Sequence, residues 1–429
     1  MIPHKVRHSY RSLRYPNYRL FFIGQSISLI GSWLSLIATS WLVYRIAKET
    51  NAENAAAILG SLIFAQQIPV TFVTPLAGVW IDRLDRKRVL MTTQTIFMLS
   101  VFWLAYLDLS GQITLAWVYS LSLLQGFLVA CDIPARQAIV VDLIEDRADL
   151  PNAIALNSSM VPAARLIGPS IAGFLIYHFG EGYCFLIDGV SYLPVLVAYI
   201  FIRTKPREAS PKRSAWVEFK EGVSYVFQFA PVRAALVIVA LTSIMFTCQS
   251  VFLPIVADRI LHGGERELGF LWASSGAGAL AAGIYLASRT SIVGLGEVMV
   301  RALAALGVGL TGLGLSKTLA VSMASLVLMG GGMVLLISSA NMGVQTLVED
   351  RMRARLMAIF NAAFMGLSPF WGIAVGVSGD RIGIAWTLGI SGLLCVGAAY
   401  GLKVRLRTLR EHARPVLASK GIILPMPEI

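Results

Sequence analysis

Long apolar runs separated by short polar breaks repeat from near the start of the chain to near its end. A run of about 20 apolar residues is what a helix needs to cross the ~30 Å hydrocarbon layer with its backbone hydrogen bonds met internally. The pattern predicts twelve such spans, at residues 20–44, 55–80, 89–108, 113–134, 153–178, 183–202, 234–257, 267–288, 298–315, 319–345, 356–378 and 384–402. The expected fold class is an all-α membrane protein. The longest polar break, RTKPREASPKRS at 203–214, falls close to the middle. It divides the chain into a six-helix bundle over 1–202, a linker over 203–233, a second six-helix bundle over 234–402 and a tail over 403–429. Within the linker, Trp216, Phe219, Val223 and Val226 recur at helical spacing opposite Glu218, Lys220 and Glu221. A short amphipathic helix is predicted there, lying along the membrane surface or packed on the protein.

The two halves resemble each other. At an offset of 204 residues, Leu143, Glu145, Asp146 and Arg147 fall on Leu347, Glu349, Asp350 and Arg351, Asn157 on Asn361, and Gly168 on Gly372. Parallel six-helix repeats with a substrate held between them are a known transporter plan. Gly168 with Ala172, and Gly372 with Gly376, place small residues at the spacing that allows close helix approach.

Composition fits the bilayer and excludes a soluble core. Of 429 residues, 56% are hydrophobic and 14% charged, against roughly a quarter charged in soluble domains. With the N-terminus placed inside, 28 of the 36 Lys and Arg lie in inner segments, six in outer loops, one, Arg301, just inside the inner end of the ninth span, and one, Arg165, deep within a helix. That bias predicts both termini on the cytoplasmic side of a cell (inner) membrane. The net charge of +12 is spread over every inner loop, which suits anionic lipid headgroups and excludes a nucleic-acid partner. Residues 1–19 are polar and basic, so the first span reads as an uncleaved anchor. Cys131, Cys184, Cys248 and Cys395 are isolated and imply no metal and no disulfide framework. No phosphate-binding loop, metalloprotease motif or serine nucleophile elbow occurs, so neither an ATP-driven pump nor such an enzyme is encoded, and no cofactor is expected.

The sharpest motif lies between spans 2 and 3: Gly78-Val-Trp-Ile-Asp82-Arg83-Leu-Asp85-Arg86-Lys87-Arg88. It resembles the loop signature of the major facilitator superfamily, with Gly78 at the packing glycine, Asp82 at the acid, Arg83, Arg86 and Lys87 at the bases, and Asp85 replacing the second glycine. The run Asp132-Ile-Pro134-Ala-Arg136-Gln137, continuing to Asp142, Glu145-Asp146-Arg147 and Asn157, looks like the branch containing the enterobactin exporter and macrolide efflux proteins. The resemblance implies the major facilitator fold and a conformational latch in which Asp142 partners Arg86. Gly168-Pro169-Ser-Ile-Ala172-Gly173 resembles the antiporter motif of span 5, with Ala172 in place of one glycine and Ala164 where an upstream glycine is expected. In that family the motif accompanies export.

Many proton-coupled members carry an arginine three residues before the Gln-Gly of span 4. Here Gln125-Gly126 is present but the position is Ser122. Arg165 reads as the one deep base, either bracing span 5 or serving transport. Asp188 is the best candidate for a proton-carrying carboxyl, the alternative being an ionised group at the outer mouth bonded to the span 5–6 turn. Further candidate cavity groups are Gln25, Ser32, Gln66, Gln67, Gln125, Gln249 and Asn341, with Trp33, Trp371 and Trp386 as aromatic wall. The expected function is secondary active transport: proton-coupled efflux of a lipophilic or amphipathic small molecule such as a drug or siderophore, by a monomer. The alternatives are a lysophospholipid flippase or facilitator on the same fold, or a membrane sensor that does not transport.

Overall fold

The computed structural model describes residues 11–50, 53–81, 84–146, 149–203, 215–289, 294–348 and 350–419. Every element among them is helical. The first half comprises α1 (Pro16–Glu49), α2 (Ala55–Ile81), α3 (Arg86–Leu109), α4 (Leu115–Asp142), α5 (Leu150–Phe179) and α6 (Glu181–Phe201). A short α7 (Ala215–Gln228) follows the linker. The second half comprises α8 (Ala230–Ile255), α9 (Glu265–Ser288), α10 (Leu295–Leu315), α11 (Leu319–Leu347), α12 (Asp350–Met365), α13 (Ser368–Ile382) and α14 (Ile384–Ser419).

These elements supply the twelve expected spans, α12 and α13 together forming the eleventh. Among the described residues, eleven helices are long and apolar enough to cross a membrane by length and composition. The helices overrun their apolar windows because polar residues can continue a helix into the interface once the span has nucleated it. The eleventh span is not the single rod expected over 356–378. It breaks at Gly366–Leu367, where Pro369, lacking an N–H, opens α13 in its first turn. The tail expected after 402 is also different, since α14 continues unbroken to Ser419. Leu402, Ala413 and Leu417 on that extension are buried, and Arg410 reaches Glu297 of α10 at 2.8 Å. The expected linker helix is present as α7, which packs against α12 and α8 with Val226 buried and Lys220 and Glu221 exposed.

Helix pairing repeats between halves. In the first, α1 packs on α6 and α5, α3 on α6 and α4, and α2 on α4; in the second, α8 packs on α14 and on both α12 and α13, α10 on α14 and α11, and α9 on α11. Local devices repeat too. Thr114 and Thr318 occupy the N-cap positions of α4 and α11. The α5–α6 and α13–α14 turns each pivot on one glycine, Gly180 (φ 87°) and Gly383 (φ 89°), a conformation that residues with a Cβ rarely adopt.

Most of the contact between the halves is made by two helix pairs, α2 with α13 and α5 with α9. Both seams are built from glycine. A Cβ on Gly173 would lie 2.6 Å from the Cα of Gly269, and one on Gly376 would abut the Ala56 carbonyl and the Ala57 backbone. Without a hydrophobic drive between helices in lipid, backbone proximity of this kind supplies the packing energy.

Candidate transport pathway

A cavity of about 280 Å³ opens inside the bundle. Its walls follow helical spacing. On α1 they are Gln25, Ser28, Ser32, Ser35 and Thr39; on α4, Gln125, Val129, Asp132 and Arg136; on α2, Leu59, Leu62 and Gln66; on α3, Gln94 and Phe97; and on α6, Asp188 and Tyr192. The second half contributes Ser250 and Trp272, and Trp33 of α1 faces the latter edge-on at a centroid separation of 6.1 Å.

Asp188 is buried, and its carboxylate accepts from Ser35 Oγ at 2.5 Å and Ser191 Oγ at 3.3 Å. These bonds run to α1 and within α6, rather than to the α5–α6 turn. A second buried acid, Asp132, accepts from Thr93 Oγ1 at 3.2 Å and Gln94 Nε2 at 2.7 Å, and pairs with Arg136 one turn on. Arg165 is therefore not the one deep base. The apolar run of span 4 ends at 134, but α4 continues to Asp142 and carries Arg136 into the cavity wall.

Arg165 is buried where α5 meets the second half. Its Nη2 donates to Gln249 Oε1 (3.0 Å) and Ser275 Oγ (3.3 Å), and its Nη1 contacts Met333 Sδ at 3.2 Å. The guanidinium also lies over the rings of Trp33 and Phe246, 5.7 and 5.8 Å from their centroids. Gly168 is what admits Trp33 to this position, since a Cβ there would fall 2.5 Å from the Trp33 side chain. Pro169 is buried beside it, and Gly173 sits one turn further on at the α5–α9 crossing.

Of the expected latch residues, Asp82 and Arg83 lie outside the described residues, and Gly78 falls in the last turn of α2. Arg86 Nη1 meets Asp142 Oδ2 at 2.7 Å and also reaches the Ala138 carbonyl, joining the start of α3 to the end of α4. Lys87 Nζ donates to the Ile200 and Ile202 carbonyls, at 3.2 and 2.8 Å, and so caps the end of α6. Asp85 is the N-cap of α3, accepting from the backbone N–H of Lys87 and Arg88. That role accounts for an acid where the superfamily signature has glycine.

Other expected cavity groups separate. Gln25, Ser32, Gln66, Gln125 and Trp33 line the cavity. Asn341 does not; its carboxamide is engaged by Gln345 one turn along α11. Gln67 and Trp371 fall outside the lining too, and Trp386 is 72% exposed on the outer surface of α14. Asp132, Arg136, Gln94, Tyr192 and Trp272 were not among the expected cavity groups, although the 4-3-4 spacing of Gln125, Val129, Asp132 and Arg136 marks one helix face.

On the face away from the termini the halves are tied together. Lys48 Nζ reaches both oxygens of Asp258 (2.8 and 2.9 Å), and the Tyr44 hydroxyl donates to the same carboxylate at 2.7 Å. Asp380 of α13 accepts from the backbone N–H of Ala56 and Ala57, at 3.1 and 2.7 Å, capping α2 across the seam. The polar contacts between halves extend from this face to Arg165 and to Thr71 against Gly366.

Two six-helix halves joined along glycine seams around a polar cavity define a membrane transporter of the major facilitator fold. Among solved structures, a POT family transporter in complex with a thioalcohol-conjugated peptide superposes with a TM-score of 0.70 at 12% identity, covering 91% of this chain and 96% of that one. The nucleoside transporter NupG superposes with a TM-score of 0.64 at 15% identity, over 90% and 99% of the two chains. Both likenesses establish the fold. The chain belongs to the transmembrane secretion effector family of the major facilitator superfamily, whose model matches residues 8–422. It is a transporter and not an enzyme. Similar curated proteins include the staphyloferrin A transporter of Staphylococcus aureus, 22% identical over 88% of this chain and 94% of that protein. The multidrug efflux pump Tap of Mycolicibacterium fortuitum is 24% identical over 90% and 95%. The enterobactin exporter EntS of Shigella boydii is 22% identical over 62% of each.

Proposed function

We propose that this chain is a proton-coupled exporter that moves an amphipathic small molecule out of the cell by alternating access. In this reading it acts as a monomer in the cytoplasmic membrane, with both termini in the cytoplasm. The observation that carries the reading is the buried Asp188 carboxyl within a cavity walled by both halves and tied shut at the far face. Substrate enters from the side of the termini. The Lys48–Asp258 tie then breaks as the halves rock about the two glycine seams, and the same cavity faces outward. A carboxyl in the wall that exchanges its proton with whichever side is open can link substrate release to proton entry. Two features support the outward direction: relatives named for siderophore and drug export, and the Gly168–Gly173 motif. The Arg86–Asp142 pair, with Asp82 and Arg83 of the same sequence motif, is the latch that holds the terminal face in one state.

Purified protein in liposomes with an imposed pH gradient tests this. Wild type is expected to accumulate substrate against its gradient, and Asp188→Asn to lose that accumulation while keeping downhill exchange. Continued accumulation by the Asp188→Asn protein would remove the proton from Asp188. Translocation of a labelled lysophospholipid without flux of soluble compounds would replace export by lipid flipping.

A further inference from the structure

Arg165 is a cation without an anion. It is 6% exposed, and among the described residues no carboxylate lies within ion-pair distance of it. Its partners are a carboxamide oxygen, a hydroxyl, a thioether and two ring faces, all neutral. An uncompensated buried charge is costly unless something else completes its shell. The unmet groups around it share one sense. Arg165 Nε, Gln249 Nε2 and Trp272 Nε1 are all buried N–H donors without an acceptor. The Gln249 orientation is fixed, because its oxygen takes the Arg165 bond and leaves the amide nitrogen over. Trp33 touches both Arg165 and Trp272, and Trp33 and Trp272 line the cavity, so the cluster stands directly behind its wall.

Another part of the cavity wall has the complementary sense. Gln25 Oε1 and Gln94 Oε1 are buried acceptors without donors, beside Asp132, whose charge Arg136 already balances. Asp188 is bonded to Ser35 and Ser191, and no ion pair joins it to Arg165.

We propose that the transported molecule is an organic acid, its carboxylate bound by Arg165, Gln249 and Trp272 at the seam and a hydrogen-bond donor on its other end bound by Gln25 and Gln94. This rests on the transport reading and names its substrate class. Because Arg165 joins α5 to α8, α9 and α11, an anion there also satisfies a charge shared between the halves.

The probes are dansylglycine and its uncharged analogue dansylglycinamide, which share a fluorophore and differ only at the carboxyl, so they test the anion end of the site. Binding is read from dansyl emission in nanodiscs holding the full chain, with empty nanodiscs subtracted. The acid is expected to bind at least about 10-fold more tightly than the amide, and Arg165→Gln to abolish that preference by weakening the acid far more than the amide. Gln249→Glu provides a variant that supplies Arg165 with its missing anion; it is expected to melt at a higher temperature than wild type and to lose acid binding about 10-fold. Equal or tighter binding of the amide, acid binding unchanged in both variants, or binding of neither probe overturns the proposal. Flux separates it from the reading beneath it. Vesicles that move the amide in preference to the acid overturn the anion site and leave a transporter. Acid binding as expected with flux of neither probe leaves the site and overturns transport.

Discussion

Truncating Asp258 to alanine should open the far face of the bundle. The carboxylate serves Lys48 and Tyr44 at once, and these two partners have unequal weight. Lys48 is 59% exposed, so water replaces most of what the ion pair gives, and its loss is worth about 0.5 kcal/mol. Tyr44 is 1% exposed. Without Asp258 its hydroxyl stays buried with no acceptor as long as the face is closed, at a cost of about 1–3 kcal/mol. When the halves part, water reaches the hydroxyl and the cost disappears, so nearly all of it falls on the closed state. Together about 2–3 kcal/mol shifts the closed-to-open ratio by about 30–150-fold. Asp258→Asn keeps an acceptor for Tyr44 and should shift it only about 5-fold, with Lys48→Ala smaller still. The assay is a pulsed electron spin distance between labels at Gln112 and Lys317, exposed positions in loops of the two halves. The four native cysteines, all free, are first replaced by alanine. A long-distance population should grow in the order Lys48→Ala, Asp258→Asn, Asp258→Ala. Identical distance distributions in all three, or a larger effect from Lys48→Ala than from Asp258→Ala, would refute the assignment of the closing energy to the buried hydroxyl.

Two further outcomes follow from packing. Gly173→Leu should push α5 from α9, because even the first carbon of the new side chain would sit 2.6 Å from the Cα of Gly269; transport in liposomes should fall at least about 10-fold, with secondary structure by circular dichroism unchanged. Asp149→Ala should lower the melting temperature of the detergent-solubilised protein, since that buried carboxylate binds Arg11 (2.9 Å), Arg14 (2.8 Å) and Tyr15 (2.9 Å) and so pins the chain before α1 to the start of α5. The midpoint is expected to fall below that of wild type, and a melting curve that overlays wild type would show the contacts to be idle.

Hydropathy reads the spans well because the bilayer demands them, and it reads little else about a helix. It placed the end of the fourth span at 134, eight residues before α4 stops at Asp142. Arg136 consequently looked like a loop residue instead of a cavity wall. The same blindness hid the helical extension of α14, whose Leu402, Ala413 and Leu417 pack on protein below the apolar window. Which side of a span faces the cavity was legible where polar residues form a stripe, as from Gln25 through Ser28, Ser32 and Ser35 to Thr39. It was not legible for single residues such as Trp386 and Asn341, because one tryptophan or one amide suits lipid, a neighbouring helix or a substrate equally. The Arg86–Asp142 pairing was readable from motif position alone, whereas hydropathy ran straight through the break at Gly366, although Pro369 marks it.

The unbroken run of α14 makes it a lever. From Leu402 to Ser419 the helix extends about 25 Å past the end of its apolar span, with the Arg410–Glu297 bridge as a strap near its middle. A rotation of the second half by about 10° would sweep the tip through roughly 4 Å, by simple geometry on that length. A label or a fused domain joined helically after Ser419 would therefore report the rocking of the bundle from outside the membrane, with no probe inside the cavity.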